Sequence, residues 1–354
     1  MLVGAEAELP YERPHLSKGY LLGTVPRERL RLRPAEQYRE LDVELRLGER
    51  VEDLGVERRA AQVGSGSTVS WDLLCVATGS SARRMPGFDD ALYLRELADA
   101  DLLVAQLERR AALNVVGAGF IGCEVAAAAI QRGCAVRVYE ALAQPLLRVL
   151  GPELGAYLAG VHRSHGVDLH LGVETLPALP APVVAGVGSV PRTELAERAG
   201  LAVEGGIVVN EVGRTAVPGV FAAGDATRFW SPLYKAQIRV EHFQTAQRQG
   251  FAVGRAMAGA EDAYSEVPWF WSDQYDLNLQ YAGAGLAWDQ VMVRGTLGQP
   301  PFTVFHLQGD RLVAAAGVND HHTVARARRV MQARAGVTPR QLEDPGFDLR
   351  RALP

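Results

Sequence analysis

The chain has 354 residues, 48% of them hydrophobic, and carries a net charge of −4 with a pI near 6.1. That length suits two or three domains with sizeable cores, and the acidic balance argues against a nucleic-acid-binding face. No apolar run reaches the eighteen residues of a membrane span, and the opening Met1-Leu2-Val3-Gly4-Ala5-Glu6 lacks a signal-peptide pattern, so a cytoplasmic protein is expected.

The chain in order begins with a short apolar stretch at residues 2–3. Four further apolar runs end in glycine-bearing turns: residues 73–77, 113–116, 183–187 and 219–223. Continuous apolar runs of this length suit strands buried on both faces. Helical stretches at 98–110 and 121–131 lie between them, which predicts a doubly wound α/β arrangement. A faint repeat relates Ala77-Thr78-Gly79-Ser80-Ser81-Ala82-Arg83 to Gly186-Val187-Gly188-Ser189-Val190-Pro191-Arg192, as two related nucleotide-binding domains in one chain would. Past about Asp262 the texture changes. Aromatic and alternating segments at 268–274, 291–293, 302–307 and 312–318 predict antiparallel strands, followed by a helix at 323–333. The fold expected is therefore α/β with two Rossmann-like dinucleotide-binding domains and a C-terminal α+β domain. Its boundaries are 1–97 and 209–262 for the first domain, 98–208 for the second and 263–354 for the third.

The strongest local signal is Leu113-Asn114-Val115-Val116-Gly117-Ala118-Gly119-Phe120-Ile121-Gly122-Cys123-Glu124. Gly117, Gly119 and Gly122 permit a tight turn, close approach of backbone to a pyrophosphate, and close helix packing, with a helix N-terminus facing the anion. The next strand ends at Glu140, at the spacing for a carboxylate that grips a ribose 2′-hydroxyl, so NAD(H) is expected over NADP(H). Glu124 lies early in the following helix, where the dipole favours a negative charge and burial would demand a cation. Lysine occurs only twice, as Lys18 and Lys235, in a chain otherwise supplied by arginine. The cysteines Cys75, Cys123 and Cys134 form no CxxC or CxxxxC pair. That argues against a disulfide framework, a metal site and dithiol redox chemistry, and Cys75 in its apolar run reads as core.

Six ordered motifs resemble one family. They are the run Leu9-Pro10-Tyr11-Glu12-Arg13-Pro14-His15-Leu16-Ser17-Lys18, the Ala77-Thr78-Gly79 turn, the stretch from Gly117 to Glu124, Ala222-Ala223-Gly224-Asp225, Glu241-His242, and Phe270-Trp271-Ser272-Asp273-Gln274. Together they are similar to the FAD-dependent ferredoxin reductases, the group of putidaredoxin reductase, Rieske dioxygenase reductase components and rubredoxin reductase. Apoptosis-inducing factor is a more distant relative. The resemblance implies FAD and NAD(H) as cofactors and an iron-sulfur ferredoxin as partner. It implies that Arg13 contacts the FAD phosphate, Lys18 lies beside flavin N5, and Asp225 holds the ribityl chain. Val51, Ala77, Thr78, Gly79, Arg83, His242, Phe243 and Trp271 complete the FAD set, Phe243 standing where relatives often have tryptophan. For NAD it adds Phe120, Ile121, Arg148, Gly186 and Gly188. Lys18 and Glu124 are the pair expected at the reaction centre. Lys235 and Arg239 are four apart, so a helix there would present both to an acidic ferredoxin.

Two departures from the family's pattern stand out. The family opens with a strand, glycine loop and helix that cradle the FAD pyrophosphate, whereas this sequence opens at what resembles the end of the following strand. Between the strand-like 166–170 and Val183 the family carries a β-meander, and here only a Leu-, Pro- and Ala-rich stretch at 176–182 is found. Read literally, the first departure predicts weak FAD binding or none. On sequence alone three readings stay open: an NADH-dependent reductase passing electrons through FAD to a ferredoxin of a cytochrome P450 or Rieske oxygenase, an NADH oxidoreductase with another acceptor (rubredoxin, a quinone or oxygen), and a non-catalytic dinucleotide-binding or signalling protein.

Overall fold

A computed structural model describes every residue except Ser65. The chain divides into two compact units and visits each more than once. The first comprises residues 1–13, 26–81 and 190–265; the second comprises 14–25, 82–189 and 266–354.

In the first unit β1 (Leu2–Gly4) pairs in parallel with β2 (Leu45–Leu47). The strands β3 (Val51–Gly55), β4 (Ala60–Val63) and β5 (Ser67–Ser70) form an antiparallel meander, and β6 (Leu74–Val76) follows. The chain then builds most of the second unit. There α1 (Leu97–Glu108), β7 (Leu113–Val116), α2 (Phe120–Gln131), β8 (Val136–Glu140), α3 (Leu147–Ser164), β9 (Asp168–Leu171) and β10 (Val183–Ala185) make a dinucleotide-binding layer. Its four parallel strands lie in the order β9-β8-β7-β10. Every residue of β7 is buried, which is why it reads as a continuous apolar run. Residues 172–182, between β9 and β10, contain no strand or helix.

Back in the first unit, β11 (Ile207–Val209), β12 (Val220–Ala222), β13 (Thr227–Ser231) and β14 (Ala236–Ile238) precede α4 (Phe243–Met257). β12 pairs in parallel with β6, and β13 and β14 form an antiparallel hairpin. Leu54, Val76, Ile207, Val220, Ala222 and Phe229 form the core of this unit.

The chain ends in the second unit with β15 (Trp269–Gln274), β16 (Leu277–Gly283), β17 (Gln290–Thr296), β18 (Gln299–Gln308), β19 (Arg311–Val318) and α5 (His321–Ala333). The sheet is antiparallel, in the order β15-β16-β19-β18-β17. Leu154 and Leu158 of α3 are four apart and share one face of the helix, while Leu150 precedes a break at Gly151, whose φ 80° and ψ 173° are not helical. All three pack on Leu279, Tyr281, Phe302 and Val304 of this sheet, which joins it to the dinucleotide layer through a common core. Truncating any one of these leucines to alanine would cost about 2–5 kcal/mol.

Two sequence expectations are corrected here. Lys235 and Arg239 do not share a helical face. Lys235 takes φ 52° in the tight turn between β13 and β14, its N–H bonded to the Ser231 carbonyl at 2.7 Å, and residues 236–238 are extended. Pairing of β14 with β13 overrides the local helical spacing. The run 219–223 is shorter than expected as a strand, because Gly224 at φ 79° turns the chain into a single 3₁₀ turn, Gly224–Ala226.

Candidate active site

The glycine motif folds as its spacing requires. Gly117 takes φ 94°, and a Cβ on it would stand 2.5 Å from the Gly186 carbonyl oxygen. A Cβ on Gly122 would collide with the carbonyl oxygen of Gly117, so only glycine lets α2 start this close to the end of β7. Gly186, directly after β10, packs on Gly122, and Gly188 is exposed at φ 103°. Phe120 is half-buried and Ile121 exposed at the start of α2. Glu140 is the last residue of β8. Its carboxylate accepts from the N–H of Ala118 at 2.6 Å and of Leu142 at 2.9 Å, which fixes it beside the glycine turn. Arg148, on α3, is exposed.

Glu124 is one turn further along α2 and 3% exposed. A carboxylate this deep needs a compensating cation and full hydrogen bonding. Lys18 supplies the cation, its Nζ 2.8 Å from Oε2, and also donates to the Pro14 carbonyl at 3.3 Å. The Ser17 hydroxyl donates to Oε2 as well, and the Ser272 hydroxyl donates to Oε1 at 2.6 Å. The segment that carries Ser17 and Lys18 is locked in place. Leu21 is fully buried, Arg132 donates to the Leu21 carbonyl at 2.8 Å, and the Tyr20 hydroxyl donates to Asp101 at 2.5 Å. Lys18, Glu124, Trp271, Asp273 and Tyr275 are among the residues that line a cavity of about 280 Å³. The structure thus brings together Lys18, Glu124 and Trp271. Ser17 and Ser272 belong to the same cluster without having been singled out in the sequence. Ser272 was legible in principle: in the alternating strand β15 it is a polar residue on the buried face.

In the first unit Asp225 lies in the 3₁₀ turn that follows the end of β12. Asp225 is buried and accepts from the Ser80 hydroxyl at 3.2 Å. Gln249 of α4 holds the turn from behind, accepting from the Gly224 N–H at 2.7 Å. Ala77 is exposed at the end of β6, and the Thr78-Gly79 turn is clasped by one residue. Thr78 donates its hydroxyl to the Arg192 carbonyl at 2.6 Å, and the Arg192 N–H donates to the Gly79 carbonyl at 2.9 Å. Val51 opens β3 and packs on the core. Arg13 donates to the Glu6 carboxylate and, at 2.9 Å, to the Tyr11 hydroxyl. In the second unit, Arg83 is exposed, with a guanidinium N–H 3.4 Å from the Ser189 carbonyl oxygen.

These residues fit a flavin. Among the described residues no side chain caps the first turn of α4, which starts after His242 with Phe243 and itself holds no acidic residue. Thr245, in that turn, is 1% exposed and its hydroxyl has no hydrogen-bond partner among the described residues. The next residue, Ala246, packs against Gly224. Burial holds the His242 imidazole neutral, its pKa down to about 4 despite Glu241. By contrast Cys75 and Cys123 are poor thiolates. Burial pushes Cys75 up to about 11 and Cys123 higher still, helped by Glu124, and all three cysteines are free.

A strand, glycine turn and helix with a terminal carboxylate, followed by an antiparallel sheet, define a nucleotide-dependent oxidoreductase. The pyridine nucleotide-disulphide oxidoreductase profile matches residues 1–176 and 181–250, and a reductase C-terminal profile matches 269–353. The chain is 42% identical to the ferredoxin-NAD(+) reductase component of the anthranilate 1,2-dioxygenase system of Burkholderia cepacia, over 100% of this chain and 92% of that protein. It is 35% identical to putidaredoxin reductase of Pseudomonas putida, over 99% and 90%. In the crystal structure of the covalent putidaredoxin reductase-putidaredoxin complex, a chain 34% identical superposes with a TM-score of 0.95, covering 99% of this chain and 91% of that one. The chain belongs to the pyridine nucleotide-disulphide oxidoreductase family, within its ferredoxin-NAD(+) reductases. The residues skipped by the profile, 177–180, fall in the strandless connection between β9 and β10.

Proposed function

We propose that the chain is an NADH-dependent reductase that passes electrons through FAD to an iron-sulfur ferredoxin serving a cytochrome P450 or Rieske oxygenase. The observation that carries this is the buried Lys18–Glu124 pair on the dinucleotide helix, in a chain whose three cysteines are free and make no redox pair. FAD, when bound, accepts a hydride and releases its two electrons one at a time, which is what couples NADH to a one-electron carrier.

The chain's own residues do the rest. Gly117, Gly119 and the start of α2 bind the NADH pyrophosphate, and Glu140 accepts from the ribose 2′-hydroxyl and repels a 2′-phosphate. With FAD bound, Lys18 would hold a positive charge near the flavin, and Glu124 keeps that charge in place. Asp225 would accept from the ribityl hydroxyls, and Arg13 would pair with the FAD phosphate. Residues 1–97 with 209–262 form the FAD domain, 98–208 the NAD domain and 263–354 the C-terminal domain. The cytoplasm is the compartment; among the described residues no helix is long and apolar enough to cross a membrane.

The test is spectroscopic. The purified protein is expected to show oxidised-flavin absorption that NADH bleaches, and to reduce cytochrome c only when a ferredoxin is added. A colourless folded protein, or cytochrome c reduction that needs no ferredoxin, would reject this function.

A further inference from the structure

Behind Glu124 lies a line of hydrogen bonds that the pair itself does not require. Ser272 and Gln274 are alternate residues of β15, so both side chains face inward, and both are buried. His162 continues the four-residue stripe of Leu154 and Leu158 on α3 and is 2% exposed. The Gln274 Nε2 donates to Ser272 Oγ at 3.0 Å, while its Oε1 lies 2.9 Å from His162 Nε2. Tyr275 Oη lies 3.0 Å from His162 Nδ1.

Chemistry sets the direction of every link. A carboxylate accepts only, so the Ser272 hydroxyl donates to Glu124. Ser272 Oγ then receives the Gln274 amide N–H, which leaves the amide oxygen to accept the proton of His162 Nε2. Burial keeps His162 neutral, its pKa lowered to about 4 against the opposing bond from Gln274, so Nδ1 is bare and accepts from Tyr275. Tyr275 is held for this. It takes φ 57°, a conformation that costs a bulky residue about 1 kcal/mol or more, and stacks on His165 at 3.7 Å.

We propose that Tyr275, His162, Gln274 and Ser272 form a one-way hydrogen-bond relay that acts as the positioning machinery of Glu124 and, through it, of Lys18. The relay rests on the reading of Lys18 and Glu124 as the reaction-centre pair. It is not a proton wire, since passage through the Gln274 amide would require an imidic acid. Each donor polarises the next, so the last hydroxyl is a stronger donor to Glu124 than an isolated serine.

The test is a double-mutant cycle read by stopped-flow flavin reduction. Ser272→Ala is expected to slow reduction by NADH about tenfold with the NADH Kd within twofold, and Ser272→Thr to restore most of the rate. In a Lys18→Met background, Ser272→Ala is expected to change the rate less than twofold, because the group it serves is gone. An equal loss in both backgrounds, or no loss in the first, overturns the relay. If Lys18→Met alone leaves reduction unchanged, the reading of the pair fails, and the relay is then judged by NMR. Long-range ¹H–¹⁵N spectra should show His162 as the neutral Nε2–H tautomer at pH 7 and still at pH 5.5. An Nδ1–H tautomer, or a protonated ring at pH 5.5, overturns the relay whatever the kinetics.

Discussion

The chain contains two buried carboxylates on dinucleotide-type folds, and they are handled in opposite ways. Glu124, in the second unit, is met by a lysine and two hydroxyls drawn from residues 17, 18 and 272. Asp225, in the first unit, sits on a backbone turn with the Ser80 hydroxyl at 3.2 Å, and its neighbourhood holds a buried threonine hydroxyl without a partner. A carboxylate matched with its own cation is a tool for the protein's chemistry. In the function proposed above, Asp225 is the carboxylate that faces the ribityl chain of the flavin. Both carboxylates draw on distant parts of the chain, since Ser80 lies 145 residues from Asp225.

The largest expected effect comes from breaking the matched site. Lys18→Met should slow flavin reduction by about a hundredfold or more with little change in NADH affinity, because a cation at N5 helps most as negative charge builds in the transition state. It should also cost about 3 kcal/mol of stability by leaving Glu124 buried without its cation, and adding Glu124→Gln should recover part of that. Stopped-flow traces and denaturant melts measure both; unchanged reduction would remove Lys18 from the reaction centre.

The other site should respond in binding. Asp225→Ala is expected to lower FAD affinity about tenfold, the worth of one charge-assisted hydrogen bond, with stability of the flavin-free protein little changed. Fluorescence titration with FAD checks this, and an affinity equal to that of the unaltered protein would take Asp225 out of the flavin site. Glu140→Gln should narrow the preference for NADH over NADPH severalfold. It keeps an acceptor for the Ala118 N–H while removing the charge that repels a 2′-phosphate. Equal use of both nucleotides by the unaltered enzyme would overturn that role.

The units also differ in how they meet acid. His162 and His306 lie in the second and His242 in the first, and burial, the dominant cause, holds each pKa near 4 against an ordinary 6.5. An unfolded chain takes up these protons near pH 6.5 and the folded chain only near 4. Stability from these groups is therefore complete above 6.5 and declines as pH falls toward 4, by up to about 1.4 kcal/mol per pH unit for each histidine. Urea melts at pH 7 and pH 5 should show the loss, and His306→Met should shallow it; a flat profile would mean these rings are solvated.

The smallest effect expected is at the turn with Lys235. Arg239 is ion-paired with Glu241, and the two cations lie on a hairpin, so their pull on an acidic ferredoxin is weaker than a shared helical face would give. Reversing both charges should slow ferredoxin-dependent cytochrome c reduction only a few-fold, at low salt, and spare ferricyanide reduction. No change at low salt would place the docking surface elsewhere.

The sequence alone determined the dinucleotide unit from Leu113 to Glu140, because a glycine turn, its helix and the closing carboxylate are set by spacing along 28 consecutive residues. It also determined the antiparallel C-terminal sheet, through the aromatic and apolar segments at 268–274, 302–307 and 312–318, and the kinship of the chain. It left two things to the tertiary structure. One was the hairpin at Lys235, where pairing between strands overrode a spacing that would equally suit a helix. The other was the cluster around Glu124, whose serines lie 107 and 148 residues away in the chain. The alternation of Ser272 with Gln274 and the helical spacing of His162 mark buried faces, but nothing local says which polar group each of them meets. Only when α2, α3 and β15 pack together does burial force each polar group to find the next, because an unmet donor or acceptor in that interior costs more than the bond it makes.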